Sequence, residues 1–184
     1  MSEEKVLLLS RDCDAIQVPY GNTITAREGT KLFLVHQLGD TYTVRTEHGY
    51  LLRIAMADAS ALGLSAAVPA PADGPASRPG PVEEADLWEV LKTIYDPEIP
   101  SNIVELGLIY TVKASPLPDG HQHVDVSMTL TAPGCGMGQV LQDDVERKLL
   151  EVPVVKSVQV QLTFTPPWDP TMMSDAARLQ LGMM

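Results

Sequence analysis

A run of proline, alanine and glycine divides this chain before any other feature can be read. Residues 66–81 are Ala-Ala-Val-Pro-Ala-Pro-Ala-Asp-Gly-Pro-Ala-Ser-Arg-Pro-Gly-Pro. Beyond Val68 the run has no large apolar side chain to anchor it, and its prolines hold the backbone extended. It reads as a linker between residues 1–65 and residues 82–184. The chain has 184 residues, enough for two small domains, and 45% of them are hydrophobic, so each part can bury a core.

The first part predicts a β-rich module. Short apolar or β-branched runs at Val6–Leu9, Thr23–Thr25, Leu32–Val35, Tyr42–Thr46 and Tyr50–Ile54 alternate with turn signals at Tyr20-Gly21-Asn22, Glu28-Gly29, Gly39-Asp40 and His48-Gly49. Strands at this spacing predict a small barrel or curled sheet, with a helical turn over Met56–Leu62. Cys13 sits between Asp12 and Asp14, whose charges raise a thiol pKa, and reads as a structural or incidental cysteine.

The second part predicts an α+β domain in the order helix, strand, strand, helix, strand. Leu87, Val90, Leu91 and Ile94 form one helical stripe within Glu83–Tyr95, which Pro97 is expected to end. Leu106–Lys113 is a strand candidate. Pro118-Asp119-Gly120 turns it into a second strand, in which Val124, Val126, Met128 and Leu130 alternate with polar residues. Met137, Leu141, Val145 and Leu149 mark the next helix, and Val158, Val160, Leu162 and Phe164 the third strand. A tail, Pro166-Pro167-Trp168-Asp169-Pro170, leads to a short helix near Ser174–Leu181.

Chemistry concentrates where the second strand meets the second helix. In Thr131-Ala132-Pro133-Gly134-Cys135-Gly136-Met137-Gly138, Pro133 stiffens the turn, and Gly134 and Gly136 remove side chains on both sides of Cys135. A thiol at or just before a helix N-terminus is favoured as thiolate, the form that binds iron or attacks an electrophile. Three readings compete: an inert structural cysteine, a phosphate-cradling loop, and a reactive or metal-binding thiol. Flanking glycines speak against the first. The second lacks the lysine of a P-loop and the spacing of a dinucleotide fingerprint.

Asp96-Pro97-Glu98-Ile99-Pro100 is the other candidate. It reads either as a solvated acidic loop that stops the helix, or as carboxylates lining the pocket around Cys135 as hard ligands, hydrogen-bond acceptors or loop anchors. His121 and His123 are expected as exposed edge residues. Trp168 reads as a lid over the core or as cover for a site or partner surface.

Charge and leader exclude other classes. A formal net charge of -11 repels phosphate backbones and anionic lipid, so neither nucleic acid nor membrane is an expected partner. No apolar run is long enough to span a bilayer, and Met1-Ser2-Glu3-Glu4-Lys5 is acidic where a secretory signal is basic. The expectation is a cytoplasmic protein with two free thiols, Cys13 and Cys135.

The motifs of the second part occur together and in order. Asp96-Pro97-Glu98-Ile99-Pro100, Asn102-Ile103-Val104-Glu105-Leu106-Gly107-Leu108-Ile109-Tyr110, Thr129-Leu130-Thr131-Ala132-Pro133-Gly134-Cys135 and Pro167-Trp168 resemble the small domain shared by SufT proteins, the phenylacetate-pathway protein PaaD and the eukaryotic cytosolic iron–sulfur targeting factors. In the first part, Val18-Pro19-Tyr20-Gly21, His36-Gln37-Leu38-Gly39-Asp40 and Asp58-Ala59-Ser60-Ala61-Leu62-Gly63 resemble the amino-terminal extension of bacterial SufT. The resemblance implies a non-enzymatic accessory factor in iron–sulfur cluster assembly, working with SUF proteins and client apoproteins. It implies Cys135 as a transient iron or cluster ligand, with Asp96, Glu98, Thr131, Pro133, Gly134 and Gly136 around it. No permanently bound cofactor is expected. One thiol cannot complete a four-cysteine site, so a cluster would be shared across a homodimer or with a partner. The alternatives are a metal-free interaction adaptor and a thiol-dependent enzyme. Many relatives have proline after the cysteine, where this chain has Gly136-Met137-Gly138.

Overall fold

Tight turns between short strands build the first part of the chain. In the computed structural model, which describes residues 5–64, 81–132, 134 and 136–183, the chain divides into two compact units, residues 1–70 and 71–184. Residues 66–80 of the expected linker, with Pro133 and Cys135, lie outside the described residues.

The first unit is one antiparallel sheet of six strands: β1 (Val6–Leu8), β2 (Cys13–Val18), β3 (Asn22–Ala26), β4 (Lys31–Leu38), β5 (Thr41–Thr46) and β6 (Leu51–Ala55), in the order β1-β4-β5-β6-β2-β3. Its two edges are β1 and β3, so among the described residues it is an open sheet and not a closed barrel. Leu7, Leu32, Val44, Leu52 and Ile54 cluster on its inner face with Cys13 and Ala15. The periodicity misses β2 because its inward positions hold small side chains and not a run of large apolar ones. A 3-10 helix, Met56–Leu62, follows β6 and buries Met56, Ala59, Ala61 and Leu62.

The second unit is the expected α+β order. Helix α1 (Glu84–Leu91) starts from a capping box, in which Glu83 and Asp86 each accept the other's backbone N–H. It ends at Leu91, short of the expected Tyr95, so Pro97 is not its terminator. Thr93 Oγ1 instead donates to the Val90 carbonyl at 2.7 Å and Ile94 N–H closes on Leu91, tightening the chain out of the helix.

β7 (Ile109–Pro116) begins three residues later than expected, because Asn102–Gly107 forms a turn in which Asn102 Oδ1 accepts from Val104 and Glu105 N–H. β8 (Gln122–Met128) pairs antiparallel with β7 and parallel with β9 (Val155–Leu162), and α2 (Gly138–Leu150) makes the crossover. Phe164 falls beyond β9 and is exposed. Leu87 and Leu91 of α1, Leu141, Val145 and Leu149 of α2, and Val124, Val126 and Met128 of β8 share one core. Helix α3 (Asp175–Gln180) closes the described chain, its N-cap Ser174 accepting from Ala177 N–H at 3.1 Å. No helix among the described residues is long and apolar enough to cross a membrane.

Candidate functional site: the turn between β8 and α2

Buried residues grip both ends of the turn. Leu130 is 5% exposed and Met137 1% exposed. The helix starts against Leu130 so closely that a Cβ on Gly138 would stand 2.7 Å from Leu130 Cδ1. Between these anchors Thr131 is half-buried, and Gly134 and Gly136 are exposed. Gly134 has φ 81°, a left-handed conformation that disfavours any side chain, with open space around it. Cys135 and Pro133 lie outside the described residues.

The helix begins at Gly138 with no side-chain cap, so Cys135 precedes the first helical residue by three positions. The dipole acts mainly within the first turn. The thiol's position in sequence is thus just ahead of that turn, not inside it.

Thr129 was overlooked by the alternation, which assigns it to the solvent side of the strand. It is fully buried, and its hydroxyl has no hydrogen-bond partner among the described residues. Burying a hydroxyl without a partner costs about 1–3 kcal/mol. No pattern in the local sequence signals it, because the burial comes from elsewhere in the fold.

The acidic loop is built by one of its own carboxylates. Asp96 is 8% exposed, and its Oδ1 accepts N–H bonds from Glu98 at 2.8 Å and Ile99 at 2.9 Å. This is an Asx turn, so of the roles open to Asp96 the geometry displays that of loop anchor. Glu98 is exposed, yet partial desolvation and then the charge of Asp96 push its pKa up. Tyr95 bridges to Asn102, which ties the two ends of the loop together.

The carboxy-terminal tail clamps the segment that follows. Trp168 Nε1 donates to the Leu106 carbonyl at 2.9 Å, Ser174 N–H to the Glu105 carbonyl at 2.9 Å, and Gln180 Nε2 to the Pro100 carbonyl at 2.8 Å. Tyr110 Oη donates to the Pro166 carbonyl at 2.8 Å. Trp168 packs against the core, which is the lid arrangement.

The histidines do not form an edge pair. β8 is the central strand of its sheet, and His121 precedes it. His123 Nδ1 lies 2.7 Å from Ser157 Oγ and its Nε2 3.3 Å from Asp125, while His121 contacts Asp119. Among the described residues no three His, Cys, Asp or Glu side chains are grouped to hold a metal ion. In the first unit Cys13 is buried in the core on β2. Its thiol pKa is raised chiefly by burial and next by Asp58, against a lowering by Arg11; Asp14 and Asp12 contribute less than the sequence suggests.

Comparison with known proteins decides the family. The model of a family described as iron–sulfur cluster assembly protein matches residues 84–162, from α1 through β9. An "Fe-S protein maturation auxiliary factor" of Porphyromonas gingivalis is 46% identical over 101 residues, which is 92% of its length and 55% of this chain. The chain belongs to the iron–sulfur cluster assembly protein family. Two further members are similar: the Fe-S protein maturation auxiliary factor YitW of Bacillus subtilis, 36% identical over 99% of its length and 55% of this chain, and SufT of Staphylococcus aureus, 39% identical over 98% of its length and 49% of this chain. These members are matched nearly end to end by about half of this chain. The six-stranded unit therefore has no counterpart in them, and the likeness drawn for residues 18–63 lies outside these matches. The family segment contains the acidic loop, β7, β8, the cysteine turn and α2.

Proposed function

We propose that this chain is an accessory factor that helps deliver or mature iron–sulfur clusters in client apoproteins, working with SUF assembly proteins through the thiol of Cys135. The observation that carries the proposal is the family match, which spans the whole strand–turn–helix segment around that cysteine. Three further features support it. The relatives are named as auxiliary factors of iron–sulfur protein maturation and not as enzymes. The chain's other cysteine, Cys13, is buried in the core of a different unit, which leaves Cys135 as the thiol for exchange. The residues flanking Cys135, Gly134 and Gly136, are exposed.

The cluster is cargo in this reading. Four-cysteine ligation is the usual way of holding one, so a single thiol holds iron or a cluster only with ligands from a second copy or a partner. Such a shared site exchanges ligands readily, which suits handover better than storage. Asp96 keeps the acidic loop in shape, and Thr131, Gly134 and Gly136 belong to the turn that carries the cysteine in sequence.

The test is Cys135→Ala. The variant keeps its far-UV circular dichroism and thermal midpoint, while client [4Fe–4S] enzymes in cells carrying it lose most of their activity. Anaerobic reconstitution with iron and sulfide, read by absorption and Mössbauer spectroscopy, gives cluster bands in the parent and none in Cys135→Ala. Normal client maturation in those cells would refute the role of the thiol.

A further inference from the structure

A serine, a histidine and a carboxylate meet on the sheet of the second unit, on the face turned away from its helices. Val124 and Val126 of β8 share a core with α1 and α2, so His123 and Asp125, one residue out of step, lie on the opposite face. β9 runs parallel to β8, and its register sets Ser157 beside His123. Ser157 Oγ lies 2.7 Å from His123 Nδ1, and Asp125 Oδ1 lies 3.3 Å from His123 Nε2. The side chain of His123 is 28% exposed and that of Asp125 52%, so solvent reaches the group.

These contacts set the direction in which a proton can move. A carboxylate only accepts, so Asp125 holds the ring proton on Nε2, which leaves the lone pair of Nδ1 toward the Ser157 hydroxyl. This is the carboxylate–imidazole–hydroxyl order of a serine nucleophile, with the two ring nitrogens exchanged. β8 is the central strand, and its backbone N–H groups are engaged in the ladders with β7 and β9 and are not free to cradle an oxyanion. Without that stabilisation only an acyl donor with a good leaving group reacts, and a sheet face admits only a small one. The chain's net charge of -11 repels an acyl phosphate and favours a neutral thioester.

We propose that Ser157 is an acyl-acceptor site for small neutral thioesters, with His123 as its base and Asp125 as the residue that positions the imidazole. Ser157 Oγ attacks the carbonyl carbon while its proton passes to His123 Nδ1. The bond formed is the ester O–C bond, and the bond broken is C–S. The thiolate leaves with that electron pair and takes the proton from Nδ1, so the products are a serine ester and a free thiol, with no change of oxidation state. An alkyl ester is less reactive than a thioester, so the acyl group stays and each chain takes up one. The site does not depend on the chemistry of Cys135.

The test incubates the full chain with S-acetyl-N-acetylcysteamine or with acetyl phosphate, strips acyl groups from cysteine with dithiothreitol, and reads intact and fragment masses. The thioester places one acetyl group on Ser157, released by alkaline hydroxylamine as an ester is and a lysine amide is not. Acetyl phosphate labels Ser157 at least about tenfold more slowly. Ser157→Ala loses the label, His123→Gln slows labelling at least about a hundredfold, and Asp125→Ala slows it about tenfold, with part of the rate restored in Asp125→Glu. Nitrogen-15 spectra of the His123 ring show the proton on Nε2 in the parent and shared between both nitrogens in Asp125→Ala, a change that lost packing alone does not produce. The position of the label on the parent chain decides the site even where a variant does not fold. Label confined to lysines, label that survives Ser157→Ala, equal rates in the parent and a folded His123→Gln, or a parent ring proton on Nδ1 overturns the proposal. Equal labelling by acetyl phosphate overturns the substrate class.

Discussion

Glu98 lies two residues from Asp96, on a loop that Asp96 itself holds by accepting the Glu98 N–H. Partial desolvation and the neighbouring charge raise its pKa, so folding favours its neutral form. The sign follows from linkage. Below the ordinary carboxylate pKa both folded and unfolded chains are protonated there and no penalty exists. As pH rises through the ordinary value toward the raised one, the unfolded chain ionises first and stability falls. Glu98→Gln is therefore expected to be more stable than the parent at pH 7 and equal to it at pH 3, measured by urea denaturation at both pH values. A loss of stability at pH 7 would show that the carboxylate is held by a favourable partner. The motif Asp-Pro-Glu-Ile-Pro was legible as a special loop. That Asp96 is buried and spends one carboxyl oxygen on two backbone N–H groups was not, because an Asx turn and a solvated acidic loop have the same sequence.

Two glycines of the second unit separate conformation from packing at the level of elements. Both have left-handed φ, 70° at Gly107 and 81° at Gly134. A Cβ on Gly134 meets nothing within 4 Å, but one on Gly107 would lie 2.3 Å from the Met172 carbonyl oxygen of the tail. Gly134→Ala is expected to cost about 1 kcal/mol, the price of the conformation alone. Gly107→Ala is expected to cost at least about 3 kcal/mol, because backbone must move as well. Chemical denaturation of the two variants checks this, and equal losses would show that the tail is not packed on the turn. The helices α1 and α2 and the strands β8 and β9 were legible because their apolar positions repeat at 3.6 or 2 residues. The late start of β7 and the early end of α1 were not. Both are set by side-chain bonds of Asn102 and Thr93 that compete with the regular ladder.

The two units keep separate cores, one around Leu32, Val44 and Ile54 and the other around Leu87, Val126 and Leu141. Leu32→Ala removes a fully buried side chain from the first, at an expected cost of about 3 kcal/mol. Exchange of the protected amides of β4 and β5 should then speed up by about a hundredfold, while those of Val124 and Val126 in β8 stay unchanged. Acceleration in both sheets would mean that the units unfold as one. By itself, the sequence determined the order of elements in the second unit, the β character of the first and the family, because periodicity, turn residues and contiguous motifs are local properties of the chain. The tertiary structure alone decided that β2 completes a six-stranded sheet, that Thr129 is buried with no partner for its hydroxyl among the described residues, and that the tail reaches back to Pro100, Glu105 and Leu106. Each of these depends on which distant segment covers or pairs with a residue, and no pattern along the chain encodes such a pairing until the core has formed.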